Sequence, residues 1–199
     1  MIEYYSKNAE KLSKKYEELL PEEVHHVWLH FIPAVQSLIL DVGAGSGRDA
    51  AWLAGQGHEV VAVEPADALR EKAKELHPHH GIRWIKDMLP ELEQTGRLEL
   101  KFDLILVSAV WMHIPMWERE TSFEKMVNLL NPGGRLVITL RYGPAADERK
   151  IYPVDNQELH RLADRFDLTV GLDVERKDLF DRSDVFWTTV VLWLSGKDR

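Results

Sequence analysis

The sequence predicts an α/β fold, a doubly wound, Rossmann-like three-layer sandwich around one seven-stranded sheet. An apolar run, Leu38–Val42, leads into a loop with three alternating glycines and then a helical stretch. Four more apolar runs alternate with helical stretches, which favours parallel pairing because each crossover needs room for a helix. Two β-rich runs close the chain with only a short turn between them, so we expect an antiparallel last strand.

Composition narrows the classes of protein that the chain can represent. Its 199 residues are 45% hydrophobic and 29% charged, which suits one domain with a sizeable core. A net charge of -8 does not favour nucleic acid as a partner, and the lack of cysteine excludes disulfide frameworks and thiolate metal sites. No apolar run reaches the roughly 18 residues of a membrane span, and residues 1–5 show no signal pattern. We therefore expect a cytoplasmic protein away from membranes, and leave open whether it is a monomer or a homodimer.

The first 35 residues are predicted to be a helical cap on the same domain as residues 36–199. Apolar side chains recur at helical spacing, Pro21 can open a second helix, and Pro33 ends it. These helices either simply cover the sheet, or they bring Tyr4, Tyr5 and Trp28 over an active site.

The elements of the sheet follow in chain order. The predicted parallel strands are Leu38–Val42, Glu59–Val63, Ile82–Lys86, Phe102–Ser108 and Arg135–Leu140. Helical patterns cover Asp49–Gln56, a stretch from Asp67, a short turn Pro90–Gln94, and Trp117–Leu130, with Asn131–Gly134 as a turn and Asp155 as the cap of a last helix. The closing antiparallel pair is Leu168–Val174 and Val185–Leu194.

Acidic residues stand where the first three strands end. In open α/β sheets, ligands bind beyond the carboxyl ends of the strands. That rule places Asp41, Glu64 and Asp87, together with the segment Ser108–His113, on one rim. Each acid alone could be a helix cap or a solvated residue, but three at successive strand ends favour a binding site.

The glycine loop Gly43–Gly47 is compatible with two classes of ligand. A dinucleotide site requires a third glycine at the sixth position of the motif, where this chain has Arg48. The large side chain disfavours the close packing of helix on strand that this glycine permits. An acid before the loop, Asp41, suits an ammonium group better than a pyrophosphate.

The second and third acids indicate a nucleoside. A carboxylate at Glu64 can accept both hydroxyls of a ribose, in nicotinamide sites as well as in others. Pro65 offers a flat apolar surface beside a base. Asp87 can accept a hydrogen bond from an exocyclic amine, and Met88 can pack on an adenine face.

On these motifs the chain resembles the class I S-adenosylmethionine-dependent methyltransferases. The matching segments are Ile39–Gly47, Glu64, Asp87-Met88, Phe102–Ile105 and Leu130–Leu136. The resemblance implies S-adenosylmethionine as cofactor and methyl transfer to a small-molecule acceptor. It also implies that a defined set of residues holds the cofactor: Asp41, Gly43, Ala44, Gly45, Glu64, Pro65, Asp87, Met88, Ser108, Ala109 and Trp111.

Other residues of the rim are candidates for contacting the methyl acceptor or accepting its proton. His113 can accept a proton or orient the acceptor, unless it is a structural loop histidine. Tyr5 is a second catalytic candidate, because Tyr4 or Tyr5 resembles the N-terminal aromatic residue that many small-molecule members of the family fold over the cofactor. Arg141 and Tyr142 follow the fifth strand, as does Arg149, and one of them can anchor a carboxylate or phosphate unless they are merely solvated.

Two other functions remain compatible with the sequence. The chain can bind S-adenosylmethionine as a regulator without catalysis, or it can be a nicotinamide-dependent oxidoreductase, which Arg48 disfavours. We predict no metal site, since the histidines at His77, His79 and His80 lack the spacing of zinc ligands.

Overall fold

The computed structural model describes residues 1–78, 81–145 and 149–194. Its strands are β1 Leu38–Val42, β2 Glu59–Val63, β3 Ile82–Ile85, β4 Phe102–Val107, β5 Leu130–Tyr142, β6 Leu168–Lys177 and β7 Phe186–Leu194. They form one seven-stranded sheet in the order β3-β2-β1-β4-β5-β7-β6.

The helices are α1 Ile2–Lys7, α2 Ala9–Glu17, α3 Pro21–Val24, α4 Arg48–Gly55, α5 Asp67–Leu76, α6 Glu93–Gly96, α7 Arg119–Leu129 and α8 Asn156–Arg165. Short 3₁₀ turns span Leu29–Phe31 and Trp111–His113. Within the described ranges, no helix is long and apolar enough to cross a membrane.

The pairing confirms the predicted fold class. β1 to β5 pair in parallel, and β7 is antiparallel to both of its neighbours, β5 and β6. β6 therefore runs in the same direction as the parallel strands, and its carboxyl end reaches the same edge of the sheet. The order of the strands reverses between β1 and β4, which is where an open α/β sheet binds its ligands.

The sheet carries a core on each face because its central strands are buried on both sides. On one face, Leu40 packs in a cluster with Phe123 of α7. On the other, Ile39 packs in a cluster with Leu53 of α4 and with Trp28. This covering by helices on both faces is what a parallel sheet requires.

The predicted second N-terminal helix is wrong beyond its first turn. Helix α3 ends at Val24, and the chain then turns through His25, whose carbonyl accepts the N–H of Trp28 at 3.0 Å. Both of these side chains are fully buried. Their tertiary contacts outweigh the helical spacing of the apolar residues.

The predicted turn Asn131–Gly134 lies inside β5. Leu130 pairs with Phe102, and pairing resumes between Arg135 and Leu104, so the residues between loop out as a bulge in the strand. Elsewhere the boundaries shift by a few residues. The short helical turn predicted at Pro90–Gln94 overlaps helix α6, which spans Glu93–Gly96. The predicted cap at Asp155 is confirmed, since its Oδ1 accepts the N–H of Gln157 at 3.0 Å.

Candidate active site

A cavity of about 640 Å³ opens at the carboxyl edge of the parallel strands. Its walls come from the ends of β1, β2, β4 and β5, from helices α1 and α2, and from the β6–β7 hairpin. Its size falls within the range of small-molecule sites, roughly 300–1,000 Å³. Most of the predicted site residues line it: Tyr5, Asp41, Gly43, Ala44, Gly45, Glu64, Pro65, Asp87, Met88, Ser108, Ala109, His113 and Arg141.

The glycine loop presents bare backbone to the cavity. Gly43 and Gly45 have φ values of 74° and 59°, a region that side chains rarely adopt. The N–H groups of Gly43 and Ala44 donate to the carbonyl of Val63 at 2.8 and 2.9 Å, which ties the loop to the end of β2. A Cβ at Gly43 would lie 2.4 Å from Cγ2 of Val110, so this position has no room for a side chain.

Asp41 presents a buried carboxylate beside this loop. It is 1% exposed, and its Oδ2 has no hydrogen-bond partner among the described residues. Burial raises its pKa well above the ordinary value, and the negative charges of Asp49 and Glu64 raise it further, against the opposing charge of Arg48. A buried acceptor without a donor is costly, and a ligand that brings an N–H group or a positive charge removes that cost.

Behind the loop lies a buried ion network. Arg48 donates from Nε to Oδ1 of Asp49 at 2.8 Å, and His25 Nε2 lies 3.0 Å from Oδ2 of the same carboxylate. Trp28 donates from Nε1 to His25 Nδ1 at 3.1 Å. Burial alone would raise the pKa of Asp49, but His25 and Arg48 hold it well below its ordinary range. The charge of Arg48 is therefore committed to the start of α4.

Glu64, just after β2, closes the other side of the loop. Its Oε2 accepts the N–H of Gly45 at 3.0 Å, and its Oε1 accepts the N–H of Ala66 at 2.8 Å. Burial raises its pKa to about 7, although these two N–H groups and the charge of Arg70 favour the carboxylate. Because this pKa is close to neutral pH, binding of a charged ligand can change the protonation state of Glu64.

The end of α2 holds the loop from above. Ser46 donates from Oγ to Oε1 of Glu17 at 2.6 Å, and Arg48 donates from Nη1 to the carbonyl of Tyr16 at 3.1 Å. His77 Nε2 lies 3.2 Å from the same oxygen of Glu17. The N-terminal region is thus attached directly to the glycine loop.

The third acid, Asp87, orders the segment that carries Met88. Its Oδ2 accepts both the N–H and the hydroxyl of Thr95, at 2.8 and 2.9 Å, and its Oδ1 accepts the N–H of Met88 at 3.0 Å. The thioether of Met88 is partly exposed and lines the cavity. The carboxylate of Asp87 therefore lines the cavity and also holds the main chain of this wall in place through its hydrogen bonds.

Past the end of β4, Ser108 and Ala109 line the cavity as predicted, whereas Trp111 does not. The 3₁₀ turn directs the indole of Trp111 into the core, where it is fully buried against Phe123 with ring centroids 6.4 Å apart. Its Nε1 donates to Glu158 at 3.3 Å. The prediction placed Trp111 on the rim by counting residues and did not take account of this inward direction.

The two predicted catalytic candidates meet in a hydrogen bond. The Tyr5 hydroxyl lies 2.9 Å from His113 Nε2, and Nδ1 of the same ring lies 3.2 Å from the carbonyl of Lys150. A carbonyl only accepts, so Nδ1 carries a proton, and in the neutral imidazole the tyrosine hydroxyl donates to Nε2. The sequence separates these residues widely, and helix α1 brings them together.

Tyr4 and Trp28, the other two aromatic residues considered for closing the site, have different locations. Tyr4 lines the cavity beside Tyr5, and the guanidinium of Arg149 lies 5.9 Å from each of their ring centroids. Trp28 instead packs in the core of the opposite face of the sheet and does not line the cavity. The region therefore both covers the sheet and closes the site.

Arg141 and Tyr142 point to opposite faces of β5. Arg141 lines the cavity and donates to the main-chain carbonyls of Gly143 and Pro144 at 3.1 and 2.8 Å. Tyr142 faces away, its ring stacked on Phe186 at 4.4 Å, so the prediction of a substrate contact for it is not supported. The two-residue period of a strand explains why neighbours separate in this way.

Sequence reasoning missed one wall, which the β6–β7 hairpin provides. Its lining residues are Arg176, Asp178, Leu179, Phe180, Arg182 and Trp187. The predicted antiparallel pair carried the relevant signal. Because β7 is antiparallel to β5 and β6 is antiparallel to β7, the carboxyl end of β6 lies at the ligand-binding edge. The sequence does not give the order of β6 and β7 in the sheet, so this position could not be predicted.

No group of three potential metal ligands gathers in the part of the chain that the structure describes. His79 and His80 lie outside the described residues.

Comparison with known proteins gives a consistent set of matches. Residues 40–138 match the family described as "Methyltransferase domain". An uncharacterized methyltransferase of Alkaliphilus oremlandii is 29% identical over 103 residues, 52% of this chain and 45% of that protein. The chain thus spans about half the length of the curated relatives it matches.

Two solved structures share the fold. The N-methyltransferase NodS from Bradyrhizobium japonicum WM9, in complex with S-adenosyl-L-homocysteine, aligns with a TM-score of 0.71 at 19% identity, covering 88% of this chain and 87% of that one. The 1,6-didemethyltoxoflavin-N1-methyltransferase of Burkholderia thailandensis, with 1,6-didemethyltoxoflavin and S-adenosylhomocysteine bound, aligns with a TM-score of 0.69 at 19% identity, covering 88% and 78%.

The fold and the site define a doubly wound α/β protein with its ligand cavity at the topological switch point. The chain belongs to the methyltransferase-domain family, as the resemblance to class I S-adenosylmethionine-dependent methyltransferases predicts.

Proposed function

We propose that the protein transfers a methyl group from S-adenosylmethionine to a small-molecule acceptor. One observation carries the proposal most directly: the unpartnered, buried Oδ2 of Asp41 lies beside a glycine loop whose other flank is the carboxylate of Glu64. The two acids suit the ammonium and ribose ends of one positively charged ligand. Family membership and the ligands named for the two structural neighbours support the same cofactor.

Along the rim, these residues occur in the same order as the parts of the cofactor that they would contact. Asp41 would accept from the amino group, and the backbone of Gly43 to Gly45 would lie along the methionine part. Glu64 would accept the ribose hydroxyls, and the adenine would lie among Pro65, Asp87 and Met88. Ser108 and Ala109 would line the side of the cavity nearest the methyl group.

When bound, the cofactor supplies a methyl group on a positively charged sulfur, and the new bond to the acceptor forms as the carbon–sulfur bond breaks. The chain's own contribution is to hold the acceptor close and in line, which in ideal cases lowers a barrier by roughly 7–11 kcal/mol. Residues of helices α1 and α2 contribute to the walls of the cavity, which would limit the access of water to a bound acceptor.

The Tyr5–His113 pair is the candidate acceptor of a proton. In the neutral imidazole that these two contacts favour, Nε2 of His113 is unprotonated and accepts from the Tyr5 hydroxyl. A protonated acceptor atom can donate to the tyrosine oxygen while the tyrosine proton passes to Nε2. The imidazolium that forms keeps its Nδ1–H on the carbonyl of Lys150.

The shape of the site supports a small-molecule acceptor. The cavity is bounded by the N-terminal helices and by the β6–β7 hairpin, and about 640 Å³ must hold both cofactor and acceptor. The neighbour from Burkholderia thailandensis, solved with 1,6-didemethyltoxoflavin bound, supports this class of acceptor.

The test has a binding part and a turnover part. S-adenosylmethionine and S-adenosylhomocysteine are expected to raise the thermal midpoint of the protein, and NAD is not. Methyl-labelled cofactor is then expected to transfer label into the small-molecule fraction of a cell extract. Stabilisation by NAD alone would favour an oxidoreductase, and cofactor binding without transfer to any fraction would favour a regulator.

A further inference from the structure

Around the cavity, most acids and most arginines lie on different halves of the sheet, apart from Arg48 on the acidic side and Asp178 on the basic side. The β3-β2-β1 half contributes the acids Asp41, Glu64 and Asp87. The β5-β7-β6 half and the segments that follow its strands contribute four arginines, here called the arginine cluster: Arg141, Arg149, Arg176 and Arg182. One half therefore suits a cation and the other an anion.

Arg176, at the carboxyl end of β6, is the member of the cluster whose donors are least satisfied. Its Nε is buried and has no acceptor in the part of the chain that the structure describes. Its guanidinium lies 5.6 Å from the ring centroid of Trp187, which fixes the planar group against one wall of the cavity. Arginine cannot lose its proton in a protein, and Arg176 lines the cavity, so its charge is available to an anion bound there.

Arg182 differs, because an internal carboxylate already neutralises it. It donates from Nε and Nη2 to the two oxygens of Asp178, at 2.8 and 2.7 Å, and Trp187 donates to the same carboxylate at 2.9 Å. Burial would raise the pKa of Asp178, but these donors hold it well below its ordinary range. The pair is a fixed support in which Asp178 balances the charge of Arg182, while the same carboxylate also acts electrostatically on Arg141 and Arg176.

Arg141 is in the opposite situation. Its donors go to main-chain carbonyls, which carry no net charge. Burial lowers its pKa, and the positive charges of Arg182 and Arg149 lower it further, while Asp178 and the exposed Asp184 oppose this shift. An anion between these cations would relieve their repulsion.

The surfaces around the cluster are apolar. Phe180, Leu179 and Trp187 of the hairpin line the cavity, and Met112 and Ile114 line it from the segment after β4. Such walls suit a ligand whose charged group is attached to an apolar body.

We propose, on the basis of the proposed methyl transfer, that the acceptor is an organic anion whose carboxylate or phosphate group is held by Arg176 and Arg141. Its apolar body lies against the hairpin. The anion anchors the acceptor on the side of the cavity opposite the cofactor's acids. A guanidinium fork suits this geometry, because it can donate two parallel hydrogen bonds to one oxyanion.

The charge of the acceptor itself provides the first test. The small-molecule fraction of a cell extract is passed at neutral pH over an anion-exchange resin, and the flow-through and the salt eluate are each incubated with protein and methyl-labelled cofactor. The label is expected to enter compounds of the salt eluate. Transfer confined to the flow-through would overturn the anionic acceptor without affecting the proposed function, whereas failure to bind S-adenosylmethionine would overturn the proposed function itself.

A variant locates the anchor. Arg176→Met keeps a stem that can pack on Trp187 and removes the fork, so KM for the eluted acceptor is expected to rise at least about tenfold. Affinity for S-adenosylhomocysteine should stay within about twofold, which shows that the variant folds. Arg176→Lys should give an intermediate KM, and Arg161→Met, whose side chain is exposed on α8, is the matched control with unchanged KM. An unchanged KM in Arg176→Met would contradict the proposal.

Discussion

At the scale of single residues, the site depends on carboxyl groups that folding has desolvated. The pKa of Glu64 is about 7, against an ordinary value of 4.5. Folding therefore favours its protonated form, so this group lowers the stability of the free protein as the pH rises from about 4.5 to about 7, with no further change above that. A bound cation with two hydroxyl donors favours the carboxylate instead.

Because folding favours protonated Glu64 and the ligand favours its carboxylate, we expect affinity for S-adenosylmethionine to rise with pH and to level off above about 7. If only the carboxylate binds, the dissociation constant should fall about tenfold between pH 6 and pH 8, with release of protons on binding at the lower pH. Calorimetry in two buffers of different ionisation enthalpy measures both quantities. Glu64→Gln should show a flatter profile; an equally steep profile in that variant would assign the titration to another group.

The hydrogen bond between Tyr5 and His113 gives a second prediction at this scale. If the pair accepts the proton of the acceptor, Tyr5→Phe should lower kcat by about 10²-fold or more. Cofactor affinity should hardly change, because the aromatic ring remains. Single-turnover transfer rates measure the effect, and Tyr4→Phe, which removes the neighbouring hydroxyl, should lower the rate less. Equal rates for wild type and Tyr5→Phe would show that the acceptor reacts without help from this pair.

At the scale of elements, the site is a set of segment ends that buried strands hold in place. The glycine loop follows β1, is tied to β2 by the Val63 carbonyl and is held from above by α2 through Ser46. Its shape therefore depends on contacts from three elements. A fourth neighbour is Val110 in the segment after β4, whose Cγ2 lies 2.4 Å from the position that a Cβ on Gly43 would take.

Gly43→Ala should destabilise the protein by more than backbone strain alone. The positive φ costs about 1–2 kcal/mol, and the added Cβ also meets Cγ2 of Val110. Gly57→Ala is the control for strain alone, since its φ is 95° and no atom lies within 4 Å of its added Cβ. Urea denaturation of both variants, and of Gly43→Ala with Val110→Ala, measures the difference. If Gly43→Ala cost no more than Gly57→Ala, or if the second substitution recovered nothing, the steric account would be wrong.

The strands and the loop were predictable because their signals are local. Buried parallel strands are continuous apolar runs, and glycines with an acid before them mark the loop whatever the rest of the chain does. The direction of a side chain depends on neighbours that the sequence does not order. For this reason the sequence did not show that Trp111 turns into the core or that Tyr142 faces away from the cavity. For the same reason it predicted a longer second helix, which the buried contacts of His25 and Trp28 end early.

At the scale of the whole molecule, the order of the strands distributes charge across one cavity. The crossovers at β1 and β4 separate an acidic half from a half lined by arginines, and the reversed β7 returns β6 to the same edge. The acids were predictable, because each follows a strand. Arg141 and Arg149 were predictable for the same reason, since they follow the fifth strand. Arg176 and Arg182 were not, because their position depends on which of the last two strands lies outside.

The central claim is that the acidic half of this cavity binds the cofactor, and one calorimetric titration tests it most directly. S-adenosylhomocysteine is titrated into wild-type protein and into Glu64→Ala. We expect one site in the wild type and an affinity at least about tenfold weaker in the variant, because a hydrogen bond to a charged group contributes roughly 1.5–3 kcal/mol. Absence of binding to the wild type, or equal affinity in the two proteins, would contradict the account.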